Sequence, residues 1–214
     1  MDEVKLISMT TPISKDMGSG AENLISYIAR VSNPGNQTNF ETANGLLRYC
    51  MNNAHWSIFQ MVDVTLEIVT TRDIGRQILR HRSFEFQEFS QRYADPTETL
   101  GFVTRECRLQ DDENRQNSIE TDDKDLKNLW EEKQRRIIDE CEIAYRWAID
   151  NGIAKEQARV VLPEGNTLSR MYMKGSLRSW IHYCNLRMGN GTQKEHAEIA
   201  AKCWDIITEE FTFL

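Results

Sequence analysis

Hydrophobic and polar positions change period several times along the chain, and each change marks an element. Residues 4–9 alternate loosely, with a partly β-branched composition that predicts a short strand, and 10–20 is turn-prone. Leu24, Ile25, Ile28 and Val31 then recur at helical spacing until Asn33-Pro34-Gly35 stops them. Residues 43–53 repeat that spacing with Leu46, Leu47, Cys50 and Met51, a second helix. The period falls to two over 62–69, the clearest strand by alternation and β-branched content. Residues 71–79 return to helix, with Ile74 and Ile78 inward and Arg72 and Arg76 in solvent. The stretch 85–93 reads as extended, so that Phe86, Glu88, Ser90 and Arg92 share one face.

The second half opens with a turn at Asp95-Pro96, a strand within 101–109 around Phe102 and Val103, and an exposed acidic loop over 110–125. Residues 126–150 form the longest helix, with Leu126, Leu129, Ile137, Cys141, Ala144 and Ala148 as its core stripe and Asn151-Gly152 as its stop. A short helix over 155–161 ends before Pro163, and 167–173 is a strand. Ser176 is the N-cap of a helix running to Met188, whose apolar stripe is Leu177, Ile181, Cys184 and Met188. Arg178, His182 and Asn185 line a neighbouring polar face, while Arg187 is half a turn out of phase with Arg178. A last helix over 193–211 carries Ala197, Ala200, Ala201 and Trp204, small residues among them suiting close packing. Strands interspersed with helices in this way predict an α/β (α+β) chain.

A length of 214 residues suits one domain, 1–214. With 26 basic against 33 acidic residues, the net charge of −7 argues against a nucleic-acid coat, so any bound anion must meet locally clustered arginines. Five cysteines without CxxC or metal-ligand spacing suit reduced thiols in a cytoplasmic setting, and no metal site is expected. No leader pattern or bilayer-length apolar run is present, which predicts neither secretion nor a membrane partner.

The chemistry concentrates between Gln77 and Tyr93. Gln77, Arg80 and His81 share one helical face, Arg82 follows, and Glu88, Ser90 and Arg92 supply a carboxylate, a hydroxyl and a guanidinium in line. Guanidinium forks match phosphate oxygens in pairs. Neither a Walker loop, a Ser-His-Asp arrangement, an HExxH nor a strand-linked GxGxxG accompanies them, so side chains must hold the phosphates. Arg80, Arg82, Arg92, Arg159, Arg178 and Arg187 exceed what one nucleoside monophosphate needs; two nucleotide-like ligands fit better. A reading from another class stacks single-stranded RNA on Phe84, Phe86, Phe89 and Tyr93, against which the net charge counts.

Arg80-His81-Arg82, followed after seven residues by Ser90, resembles the signature of the flavin-dependent thymidylate synthases. Gln77, Glu88, Arg92-Tyr93 and the early Ala29-Arg30-Val31-Ser32 also resemble that family, and the likeness runs from about residue 29 to 195. It implies a mixed central sheet flanked by helical lobes, and a homotetramer with active sites at subunit interfaces. It implies that dUMP becomes dTMP, with methylenetetrahydrofolate giving the carbon and NADPH reducing FAD. Carried over residue by residue, His55, Ser57, Arg80, His81, Arg82, Glu88, Ser176, Arg178 and His182 contact the flavin. Gln77, Arg80, Glu88, Ser90, Gln91, Arg92, Arg159 and Arg187 contact dUMP, Arg159 at the phosphate and Arg187 at the uracil. Three positions depart from the family: Gln60 and Met61 where Glu and His are common, and Ser176 where Asn is. They leave room for a flavin-dependent methylase of another uridine nucleotide.

Methylating a uracil carbon normally needs a nucleophile on the ring, often a cysteine. Cys184, the nearest, sits on an apolar stripe and reads as core. Activation by charge remains: Arg187 against the pyrimidine stabilises the anion as N3 ionises.

Overall fold

A computed structural model describes residues 3–189 and 191–214. In chain order the elements are β1 (Glu3–Met9), α1 (Gly20–Ala29), α2 (Ala43–Asn52), β2 (Asp63–Thr71), α3 (Arg72–Ile78), β3 (Glu85–Glu88) and α4 (Pro96–Thr99). Then follow β4 (Arg108–Gln110), β5 (Ser118–Glu120), α5 (Lys124–Asp150), α6 (Lys155–Ala158), β6 (Leu168–Ser176), α7 (Leu177–Arg187) and α8 (Lys194–Glu210). The α+β class is as expected. Four strands form the main sheet in the order β1-β2-β6-β3, and every pairing in it is antiparallel, where the resemblance implied a mixed sheet.

Alternation decides which face of that sheet is covered. Val64, Leu66 and Ile68 of β2 and Met171 and Met173 of β6 are buried, while Thr65, Glu67, Tyr172 and Lys174 between them face out. Against the buried face pack Leu177, Trp180, Ile181 and Cys184 of α7, Ile199, Cys203 and Ile207 of α8, Leu24 and Ile25 of α1, and Leu47 of α2. The C-terminal tail closes this core: Phe213 stacks on Phe59 with ring centroids 5.5 Å apart, and Arg48 Nε donates to the Phe213 carbonyl at 3.1 Å. A smaller core joins Tyr145 and Ala148 of α5 to Ala158 and Leu162.

Six expectations need correction. The long helix forms, started by Asp123 whose side chain accepts from Leu126 N at 2.9 Å, but its apolar stripe is not core in the protomer. Leu129 is 53% exposed, Ile137 51% and Trp147 62%; only Gln134, Tyr145 and Ala148 of α5 are buried. The extended run over 85–93 ends at Phe89, because the Ser90 carbonyl accepts from both Tyr93 N and Ala94 N at 3.1 Å and turns the chain. Ser90 and Arg92 therefore do not continue the face of Phe86 and Glu88. Residues 101–106 supply only a bridge between Phe102 and Thr167, and the strand comes later, as β4. The loop over 110–125 contains β5, which pairs with β4 as a hairpin. Finally, Arg72 is buried rather than solvated, and Val31, beyond the end of α1, is exposed.

Candidate active site

The Arg80-His81-Arg82 turn leaves the C-terminal end of α3 and is seated by Phe84. That ring packs edge-on against Trp180 (4.8 Å) and Tyr183 (5.8 Å), and lies where a side chain on Gly175 would be. Only the missing Cβ lets the ring approach the β6 backbone this closely. Burial of Phe84 also removes it as a platform for stacking RNA.

His81, held by this seat, accepts a hydrogen bond at Nε2 from Arg187 Nε at 2.9 Å. Burial lowers its pKa, and Arg187 and then Arg80 lower it further, so the imidazole is neutral with a bare Nε2. The bond fixes the root of the Arg187 guanidinium and leaves both terminal amino groups without a partner among the described residues. On the other side of His81 lie Tyr183, edge-on at 4.9 Å, and His196 at 6.2 Å. Gln77 joins this group: its Nε2 donates to Gln193 Oε1 at 2.8 Å, and its Oε1 faces His196 Nδ1 at 3.2 Å.

A second group gathers around Arg72 and Arg76 of α3. Arg72, Arg76, Gln91 and Arg159 line a cleft of about 390 Å³ with Glu156, Gln157 and Glu164. Arg72 is buried by its partners: its Nη1 is 3.4 Å from Glu88 Oε1, which also accepts from Ser169 Oγ at 2.9 Å. Arg92 is 3.5 Å from Glu156 Oε2 at the rim, and the Ser90 hydroxyl accepts from Arg92 N. Gln91 Nε2 is buried without a hydrogen-bond partner, an orphan donor in the wall of a cationic cleft. Such a cleft suits an anion such as a phosphate.

A third group surrounds the start of α7. Ser176 is the N-cap, its Oγ accepting from Ser179 N at 3.3 Å. His182 packs its ring on Trp56 at 4.6 Å, and burial, then Arg178, lowers its pKa. Trp56 lies between His55 and Ser57, so the 3-10 turn Trp56–Gln60 brings that segment to α7. The guanidinium groups of Arg80, Arg82 and Arg178 form no ion pair or hydrogen bond among the described residues. The Arg178 guanidinium beside a neutral imidazole that packs on an indole fits a ligand bearing phosphates and a flat ring.

The residues named from sequence thus fall into three groups. Gln77, His81 and Arg187 meet at the α3–α7–α8 junction; Gln91 and Arg159 line the cleft, with Glu88 and Arg92 bonded to its wall and rim; Ser57, Ser176, Arg178 and His182 belong to the third. Arg72, Gln193 and His196 are additions that sequence reasoning missed. His196 is in register with Ile199, Cys203 and Ile207 on the buried stripe of α8, the one signal that could have marked it. Neither a grouping of three metal-ligating side chains nor a helix long and apolar enough to cross a membrane occurs among the described residues.

The fold is shared with solved structures. A UMP/dUMP methylase, PolB, from Streptomyces cacaoi superposes over all of this chain and 91% of its own with a TM-score of 0.82, at 23% identity. The family model described as "Thymidylate synthase complementing protein" matches residues 13–211. A probable flavin-dependent thymidylate synthase of Paramecium bursaria Chlorella virus 1 is 49% identical over 207 residues, covering 97% of this chain and 94% of its own. The flavin-dependent thymidylate synthase of a Synechocystis strain is 48% identical over 211 residues, 98% of this chain and 95% of its own. On a family match across most of its length and relatives nearly half identical end to end, the chain belongs to the flavin-dependent thymidylate synthase family.

Proposed function

We propose that the protein converts dUMP to dTMP, with methylenetetrahydrofolate as carbon donor and NADPH as reductant, working as a single domain in the cytoplasm. The observation that carries this reading is the Arg187–His81 pair: a guanidinium anchored through Nε by a neutral imidazole, its two amino groups left for a ligand. Placed at the uracil, that cation stabilises the negative charge that develops as N3 loses its proton. A cysteine route is opposed by burial, which pushes the Cys184 thiol up to about 12 and raises Cys203 well above its usual value.

Arg159, Gln91 and Arg92 hold the dUMP phosphate in the cationic cleft, with Ser90 and Glu88 beside them. Arg80, Arg82, Arg178, His182, His55, Ser57 and Ser176 hold FAD, which when bound supplies the hydride chemistry. Within one protomer Arg187 is not among the residues that line the cleft. That separation supports sites completed between subunits, and the exposed apolar face of α5 supports a homotetramer that covers it.

The test is direct. Purified protein with bound FAD, given dUMP, methylenetetrahydrofolate and NADPH, forms dTMP; UMP in place of dUMP tests the alternative reading, methylation of another uridine nucleotide. A protein that binds FAD and methylates only UMP replaces the first reading with the second.

A further inference from the structure

Beyond the Arg187–His81 pair, a chain of hydrogen bonds runs through the core on its inner side, and its polarity can be assigned from one end. The Glu195 carboxylate, ion-paired with Arg108, can only accept. It accepts from Gln193 Nε2 at 2.9 Å, so Gln193 Oε1 faces the other way and accepts from Gln77 Nε2 at 2.8 Å. Gln77 is thereby fixed with Oε1 toward His196 Nδ1, 3.2 Å away, and that nitrogen must carry the proton. Nε2 of His196 is then bare and accepts from the Tyr183 hydroxyl at 3.1 Å. Every member has one role, and none can reverse without leaving two donors or two acceptors face to face.

We infer that His196 is a positioning residue: its Nδ1–H completes the partners of the Gln77 amide, holding the carbonyl while Gln193 holds the amino group, and through Gln77 it sets how the nucleotide is held. His196 touches no ligand itself; it is fully buried on α8. Gln77 retains one amide hydrogen and one lone pair on the side away from the chain, and these two bonds decide which of them meets dUMP. Tyr183 is the second anchor, joining the same imidazole to the ring that packs on His81. The relay places the nucleotide contact and the Arg187 anchor on one rigid junction of α3, α7 and α8. This rests on the reading of Gln77 as a dUMP contact.

Two substitutions separate the halves of the imidazole. Asn reproduces the Nδ1–H and keeps the bond to Gln77; Gln places its amide near Nε2 and keeps Tyr183 while losing Gln77. In the FAD-loaded enzyme, His196→Gln raises the KM for dUMP about five- to tenfold, the scale of one positioned hydrogen bond, with kcat and flavin content little changed. His196→Asn stays within about twofold of the parent KM. A residue that merely fills space predicts that the two variants behave alike, and equal KM values, or a parallel loss of FAD, overturn the inference. Gln77→Ala provides the separate check. If it leaves KM unchanged, Gln77 is not a nucleotide contact and the site assignment beneath the inference fails; if it raises KM while His196→Gln does not, the relay alone fails.

Discussion

Gly175→Ala is the sharpest test of how the Arg-His-Arg turn is seated. A Cβ at this position lies 2.4 Å from Phe84 Cδ1 and 2.6 Å from Cε1, where ordinary contact begins at 3.4 Å, so the ring must retreat by about 1 Å. It has nowhere to go, because Trp180 and Tyr183 are buried on its other faces. Overpacking of this kind costs about 1–3 kcal/mol, and removing a glycine from a strand interior returns about 0.5–1 kcal/mol. The net loss is about 1–2 kcal/mol, which for a chain of this size lowers Tm by roughly 2–8 °C. Thermal unfolding at fixed protein and saturating FAD measures it, since bound ligand and association both raise apparent stability. Phe84→Leu in the same background relieves the clash, so the double variant is more stable than the sum of the single losses by about 1 kcal/mol. A neutral or stabilising Gly175→Ala, or strict additivity, refutes the claim that Phe84 holds the turn against β6.

Three further outcomes follow from other parts of the structure. His196 titrates near 4 in the fold, lowered from the usual 6.5 first by burial and then by Arg187 and His81. The unfolded chain therefore takes the proton more readily, and this contribution is intact above pH 6.5. It is lost as pH falls toward 4, on the order of 3 kcal/mol at most, and His196→Asn flattens that part of a denaturant-monitored stability profile. Glu88→Gln leaves the Arg72 guanidinium buried without its main carboxylate and costs about 3 kcal/mol, whereas Glu164→Gln, at the exposed end of the same cluster, costs less than about 1 kcal/mol in urea unfolding. Ile137→Glu on the exposed stripe of α5 changes protomer stability by no more than about 0.5 kcal/mol. It shifts sedimentation toward smaller species, with dTMP formation falling in step.

Local pattern carries the sheet and α7 because their signals are local: strict alternation in β2, and a serine whose hydroxyl can cap the start of a helical stripe. The α5 stripe shows where that logic stops. Helical spacing finds an apolar face but does not say what covers it. Helical spacing places Arg72 in solvent because its partner, Glu88, arrives from β3 only when the chain folds back, and a long-range ion pair leaves no mark in a helical window. Alternation extends the strand through Ser90, whose hydroxyl and carbonyl instead both form the turn. His196 stayed hidden for a related reason: a lone histidine on an apolar stripe gains meaning only from Tyr183 and Gln77, which other elements deliver. The Arg80-His81-Arg82 motif is visible in the sequence, since its residues are adjacent; the partners that α7 and α8 bring to it are not.

The measurement that bears most directly on the account is dTMP formation by Arg187→Ala, with FAD content read from the visible spectrum of the same sample. The expected result is that dTMP formation is abolished while FAD remains bound, as the proposed contact of Arg187 with the uracil requires. Loss of FAD in equal proportion, or persistent dTMP formation, contradicts it.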